Sequence, residues 1–338
     1  AAIVVHLFFV LQELRAEVET SPNAEIANRI SKKGKISFAE FMEVALYHPN
    51  GGYYAQKAPG GADSDYYTSP TVHPAFGSLI AAQLHRLWEL LERPTSFYAI
   101  EMGAGVGRLS RDVTYYTQYL PDKFNKALRY ITMDRTVPNS VSSIRRTYYG
   151  HILASQPPFK NVVGCFLSNE LLDAFPVHRF QIHGGEVKEV FVVLDKGEFT
   201  EILAEPSSPH ITERAKTLGI PLSEDYRGEI NLSIRPWVAD ISAALNTGFV
   251  LTIDFARSKE NENNNLKGSL QTYYRHSYGS NPYQHVGEQD ITAAVDFHHV
   301  ILEGLTAGLK PILLCTQAEY LHNLGMRQWL QNIRTQKL

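Results

Sequence analysis

An acid and three glycines stand at a spacing suited to holding a charged small molecule. In Phe97-Tyr-Ala-Ile-Glu101-Met-Gly103-Ala-Gly105-Val-Gly107 an apolar run ends in Glu101 and passes directly into alternating glycines. Glycines after a strand let the backbone turn tightly and let a ligand approach bare peptide, and a following helix offers unpaired N–H groups at its first turn. The spacing discriminates among ligands. A dinucleotide turn reads G-x-G-x-x-G, which from Gly103 would put its third glycine at Arg108, whereas the third glycine here is Gly107. A nicotinamide-dependent oxidoreductase is therefore the weakest reading. A second acid, Asp134, closes the run Leu128 to Asp134, 27 residues after Gly107, where a doubly wound sheet offers a carboxylate to ribose hydroxyls; the plainer alternative is a turn or N-cap aspartate. Asn169-Glu170 follows a nearly continuous apolar run, Asn161 to Ser168, and Asp173 falls on the same side as Glu170 if Leu171 and Leu172 begin a helical turn. The competing reading makes Asn169 and Asp173 caps of that turn. His178, near Pro176 and beside Arg179, is a further candidate for the site or for a structural role.

These side chains need a parallel sheet to carry them to one edge. The apolar runs 97–101, 128–134, 161–168 and 249–254 read as buried strands, three of them ending in acids, with helices over 76–91, 109–120 and 235–246 between them. Two short amphipathic helices over 23–46 precede the sheet, the second capped by Ser37 with Glu40 three residues on. A loop rich in Gly and Pro (48–52, 59–61) reads as a lid. Alternation over 178–183, 187–194 and 199–204 predicts an antiparallel meander inserted into the core. A polar loop over 258–267, a helix over 290–305, a strand over 311–314 and a helix over 318–324 complete the reading. The fold class is α/β: a Rossmann-like sheet with helices on both faces, an N-terminal helical cap and an inserted antiparallel β meander. The expected organisation is cap and lid 1–75, first core part 76–175, inserted substrate-side region 176–234 and second core part 235–338.

With 338 residues, 44% hydrophobic and 20% charged, the chain can bury one large core, and a net charge of −3 argues against a nucleic-acid footprint. Cys165 and Cys315 lie in or beside apolar runs, so both are expected to be buried thiols, with no disulfide framework. The thirteen histidines show no metal-ligand spacing, so no metal is assigned. Ala1 to Leu11 is apolar except His6 but too short to span a bilayer, and it lacks a basic flank; it reads as a docking helix, the alternative being the remnant of a targeting segment, with no membrane insertion expected. Without a transit-peptide pattern the expected location is a bacterial cytoplasm, with a mitochondrial matrix as the alternative.

The chain resembles the MidA family of class I S-adenosylmethionine-dependent methyltransferases from about Ile36 to Met326. The resemblance is carried by Glu101 with its three glycines, by Ile36-Ser-Phe-Ala-Glu-Phe-Met-Glu-Val-Ala-Leu-Tyr-His-Pro49 with Gly52-Tyr-Tyr54, by Thr68-Ser-Pro70 and Phe76-Gly77, by Ser168-Asn-Glu-Leu-Leu-Asp-Ala-Phe-Pro-Val-His-Arg-Phe180, and by Gly287-Glu-Gln-Asp-Ile-Thr292 with Val295-Asp-Phe297. It implies S-adenosyl-L-methionine as cofactor, held by Glu101, Gly103, Gly105, Gly107, Asp134, Ser168, Asn169, Thr68 and Pro70. It also implies a protein arginine methyltransferase of the kind that assists respiratory complex I assembly, with a respiratory subunit as acceptor. A homodimer is compatible with this reading. Because a guanidinium keeps its proton up to a pKa above about 12, carboxylates must orient it and assist proton loss, which singles out Glu170 and Asp173. Five Tyr-Tyr pairs occur, and a tyrosine face attracts cations; Tyr67 and Tyr273 lie in family blocks, and His276 and Asp290 join them on the substrate side as the resemblance implies. Ala104, Val106, Arg108 and Thr71 replace the family's proline, arginine, threonine and glutamate. Those departures motivate the second reading, an assembly chaperone that keeps the fold without catalysis.

Overall fold

The computed structural model describes residues 20–56, 69–135, 150–218, 223–257, 267–328 and 331. The expected docking helix over 1–11, Tyr67, Thr68, the lid glycines Gly60 and Gly61 and most of the 258–267 loop lie outside the described residues. Two compact units divide the chain, each assembled from three separate segments: one from 1–57, 174–232 and 257–294, the other from 58–173, 233–256 and 295–338.

The second unit holds the parallel sheet. Its strands are β1 (Phe97–Met102), β2 (Leu128–Asp134), β3 (His151–Leu153), β4 (Val162–Asn169) and β5 (Leu245–Ile253), in the order β5-β4-β1-β2-β3, with every neighbouring pair parallel. β1 is central and covered on both sides. Phe97 and Ala99 join a cluster with Ile80, Leu84 and Trp88 of helix α1 (Ala75–Leu90), while Ile100 and Met102, on the opposite face by the two-residue period, are also buried. The chain then runs through the glycine turn into α2 (Arg108–Tyr116), which ends in a 3₁₀ turn over Thr117–Tyr119. α3 (Ile234–Ala244) leads into β5, and α4 (Phe297–Thr306) and α5 (Gln317–Asn323) follow it.

The other unit contains the helices Pro22–Lys33 and Phe38–Tyr47 and the meander. The Ser37 cap forms as expected: its side chain accepts from the Glu40 amide while the Glu40 carboxylate accepts from the Ser37 amide. Strands His178–His183, Glu186–Asp195 and Glu198–Ala204 pair antiparallel, joined by Ile36–Ser37 at one side and Arg227–Ile230 at the other.

Three expectations are corrected. The helix over 290–305 begins only at Phe297: Asp290–Thr292 pairs antiparallel with Gln271–Tyr273, and Asp296 caps the helix by accepting from the His299 amide. Residues 311–314 form no strand. Ile312, Leu313 and Leu314 are more than half exposed, and among the described residues no strand pairs with them. Cys165 is buried as expected, but Cys315 is exposed at the end of that extended stretch. Among the described residues no helix is long and apolar enough to cross a membrane.

Candidate active site

Gly103, Gly105 and Gly107 all adopt left-handed backbone, with φ of 71°, 53° and 70°. Only glycine enters that region without a Cβ penalty, which is why the alternating pattern is needed to fold the chain back from β1 into α2. The turn is fixed by its own amides. Gly103 N–H donates to the Met133 carbonyl (2.8 Å), Gly107 N–H to the Ala104 carbonyl (2.9 Å), and Gly105 N–H to Asp134 Oδ2 (3.0 Å). Asp134 Oδ1 accepts from the Arg135 amide (2.7 Å). The acid at the end of β2 therefore braces the glycine turn.

Glu101 is 4% exposed at the end of β1, opposite Thr132 of β2 and Leu167 of β4. Burial pushes its carboxyl up to about 8; the Tyr130 hydroxyl, which donates to Oε2 at 2.9 Å, opposes that rise, the charge of Asp134 adds to it, and the Ser110 amide opposes it. At neutral pH Glu101 is thus held mostly neutral and is primed to ionise beside a cation.

β4 delivers the remaining groups. Ser168, beside Met102 in the sheet, is 2% exposed, and among the described residues its Oγ has no hydrogen-bond partner; the same is true of the buried Asn169 Oδ1. Buried polar atoms are nearly always satisfied, so two such orphans at the carboxyl end of a parallel sheet call for a ligand. At the next residue the chain reverses: Glu170 has φ 52°, its amide donates to the Ile253 carbonyl (2.8 Å), and its Oε1 accepts from the Ser69 amide (3.4 Å). The helical turn expected over Leu171 and Leu172 does not form, because both of their amides donate to Asp254 Oδ2 (3.1 and 2.8 Å). Asp254 Oδ1 accepts from the Phe255 amide at 2.8 Å, and burial raises this carboxyl to about 6 against the pull of those amides. Asp173 is 7% exposed at the end of the same loop.

A family model for S-adenosyl-L-methionine-dependent methyltransferases matches residues 79–313. The chain belongs to this family. It is similar to the mitochondrial protein arginine methyltransferase NDUFAF7 of Homo sapiens, 24% identical, over 88% of this chain and 72% of that one, and to its homolog in Drosophila melanogaster, 25% identical, over 81% and 67%. A crystal structure of a Burkholderia thailandensis protein bound to S-adenosyl-homocysteine superposes with a TM-score of 0.80 at 25% identity, covering 94% of this chain and 84% of that one. The chain is a methyltransferase with S-adenosyl-L-methionine as its cofactor, and the nicotinamide reading falls.

The residues of this methyltransferase fit that cofactor. Three left-handed glycines expose backbone, Glu101 supplies a buried acid beside them and Asp134 a carboxylate against their turn, and the orphaned Ser168 Oγ and Asn169 Oδ1 fit polar groups of a ligand. Glu101, Gly103, Gly105, Gly107, Asp134, Ser168, Asn169, Glu170, Asp173 and the buried Pro70 all fall in the unit built on the parallel sheet. His178, Tyr273, His276 and Asp290 fall in the other. There His178 Nδ1 pairs with the fully buried Glu189 (2.7 Å), Asp290 Oδ1 accepts from the Tyr54 hydroxyl (2.8 Å) and the Ile291 amide (2.9 Å), and the Tyr273 hydroxyl donates to Gln271 (2.9 Å). His276 sits with Arg275 in a two-residue hairpin turn, both at positive φ. Asp254 was legible as a strand-ending acid, but only the structure shows the loop amides it gathers.

Proposed function

We propose that this methyltransferase acts on arginine side chains of a partner protein. The observation that carries the reading is the Glu170 carboxylate, presented on left-handed backbone directly after the orphaned Ser168 and Asn169 oxygens. The curated relatives named as protein arginine methyltransferases support it. S-adenosylmethionine supplies an electrophilic methyl group on a sulfonium, and transfer is an in-line displacement in which positioning dominates. Glu101 and the glycine turn hold the amino acid part, Asp134 the ribose, and Ser168 and Asn169 neighbouring polar groups. Glu170 fixes the guanidinium by paired charge-assisted hydrogen bonds and receives the proton lost as the new N–C bond forms, with Asp173 assisting.

The acceptor is a protein, and the resemblance favours a respiratory complex subunit. The mitochondrial designation of the relatives supports an organellar compartment over the bacterial cytoplasm first expected. The test is incubation with isotopically labelled S-adenosylmethionine and arginine-bearing subunits of respiratory complexes, read by mass spectrometry. Methylarginine is expected, and Glu170→Gln should lower kcat by about 10²–10⁴ while cofactor affinity holds. Methylation confined to lysine, or transfer undiminished in Glu170→Gln, would overturn the assignment.

A further inference from the structure

Asp254 lies beyond β5, outside the glycine turn and outside the β4 exit, yet it touches the backbone of both the loop and its own strand end. Its two carboxylate oxygens take the Leu171, Leu172 and Phe255 amides, and the carbonyl just before it, Ile253 O, takes the Glu170 amide. Every loop amide from Glu170 to Leu172 is therefore collected by two consecutive residues of one strand end. That strand end is itself anchored, because the Phe255 carbonyl accepts from the Val295 amide (2.8 Å) and Ala256 bridges Val295. The loop these bonds hold carries more than Glu170. A Cβ placed on Gly103 would lie 2.7 Å from Leu171 Cδ1 and 3.5 Å from Leu171 Cβ and Cγ, so the Leu171 side chain rests on the bare backbone of the first glycine.

We propose that Asp254 is a positioning residue for methyl transfer: by gathering the Leu171 and Leu172 amides it presses Leu171 onto Gly103 and so locks the Glu170 loop to the cofactor-binding turn. The inference rests on the assignment of that turn to S-adenosylmethionine and of Glu170 to the acceptor. An asparagine cannot replace the aspartate here. One carboxylate oxygen serves two amides and the other serves a third, so whichever way the amide group turns, its NH₂ meets at least one N–H donor. The loop then loses an acceptor, Leu171 leaves Gly103, and the glycine turn loses its lid. Leu171→Ala removes the same contact while leaving the Asp254 bonds in place.

The decisive experiment is a double-mutant cycle on S-adenosyl-homocysteine affinity, measured by calorimetry on the full chain, with thermal unfolding in parallel. Asp254→Asn and Leu171→Ala should each weaken binding by roughly tenfold, and the double variant should be no weaker than the worse single one, because both break one linkage. A purely structural Asp254 would lower the unfolding temperature and leave affinity unchanged, or its effect would multiply with that of Leu171→Ala to about a hundredfold; either result overturns the proposal. Should Asp254→Asn fail to fold, Leu171→Ala alone decides: unchanged affinity in that variant sinks the linkage. Wild-type protein that binds no S-adenosyl-homocysteine would instead overturn the cofactor assignment itself, and this inference with it.

Discussion

Glu170 sits in a conformation that costs stability, an expense that its proposed role in methyl transfer explains. A non-glycine residue at φ 52° carries roughly 1–2 kcal/mol of strain, whereas glycine there loses about 0.4–1 kcal/mol through its freer unfolded state. The difference favours glycine. Glu170→Gly is expected to stabilise the protein by about 0.5–1 kcal/mol in urea unfolding through relief of that backbone strain, and the bond it forfeits from the Ser69 amide is long at 3.4 Å. Methyl transfer should be lost in the same variant. Stability gained as activity disappears is the mark of strain retained for function. Glu101 gives the opposite pH signature from an ordinary surface acid. Its folded pKa, about 8, lies above the unfolded value of 4.5, so between those values the unfolded chain ionises while the folded one holds its proton. Stability from this group is complete below pH 4.5 and lost as pH rises towards 8, at roughly 1.4 kcal/mol per pH unit. Urea unfolding from pH 5 to 8 should show that decline, and Glu101→Gln should flatten it; equal slopes would refute the burial argument.

At the scale of elements, one row across the sheet decides how closely the strands approach. Tyr98 of β1, Gly164 of β4 and Gly248 of β5 are neighbours in register. A Cβ on Gly164 would fall 1.9 Å from the Tyr98 carbonyl oxygen, and one on Gly248 1.9 Å from the Gly164 carbonyl oxygen. Neither neighbour is a side chain that can swing aside. Gly164→Ala and Gly248→Ala should each cost more than about 3 kcal/mol, detectable as lost soluble yield or as a collapsed denaturation midpoint. The strands themselves were legible because continuous apolar runs ending in acids have few other solutions. Their partners were not. Nothing local in Asp290-Ile-Thr292 distinguishes a helix start from a strand; the Tyr54 hydroxyl, 236 positions away, and the pairing with Gln271–Tyr273 decide it. Conversely, Pro311 to Leu314 has the composition of a strand but no described neighbour to pair with, and propensity without a ladder leaves it extended and exposed. The candidate site divides in the same way. The glycine turn and the acids at the ends of β1 and β2 and after β4 follow from spacing, whereas the Asp254 grip on Leu171 and Leu172 depends on where β5 lies beside β4, which spacing does not encode.

For the whole molecule, the two cysteines report folding and cofactor binding together. Cys315 is exposed, so it should react with a thiol reagent at once, whereas Cys165 is fully buried in β4 and burial pushes its thiol up to about 12. Only an opening of the unit that contains the parallel sheet can free Cys165, because its side chain belongs to the cluster that joins Phe97 and Tyr130 to α1. The slow phase of labelling therefore measures the open fraction of that unit wherever closing outruns modification. A ligand that binds only the closed form reduces this fraction by 1 + [L]/Kd, so S-adenosyl-homocysteine at a hundred times its Kd should slow Cys165 labelling about a hundredfold, equivalent to about 2.7 kcal/mol. The Cys315 phase should not change. Because that prediction contains no unknown acceptor, it tests the cofactor assignment even before the substrate is found. A slow phase indifferent to S-adenosyl-homocysteine, in protein whose Cys315 reacts normally, would mean that the glycine turn and the orphaned oxygens of Ser168 and Asn169 do not hold the cofactor in the closed fold.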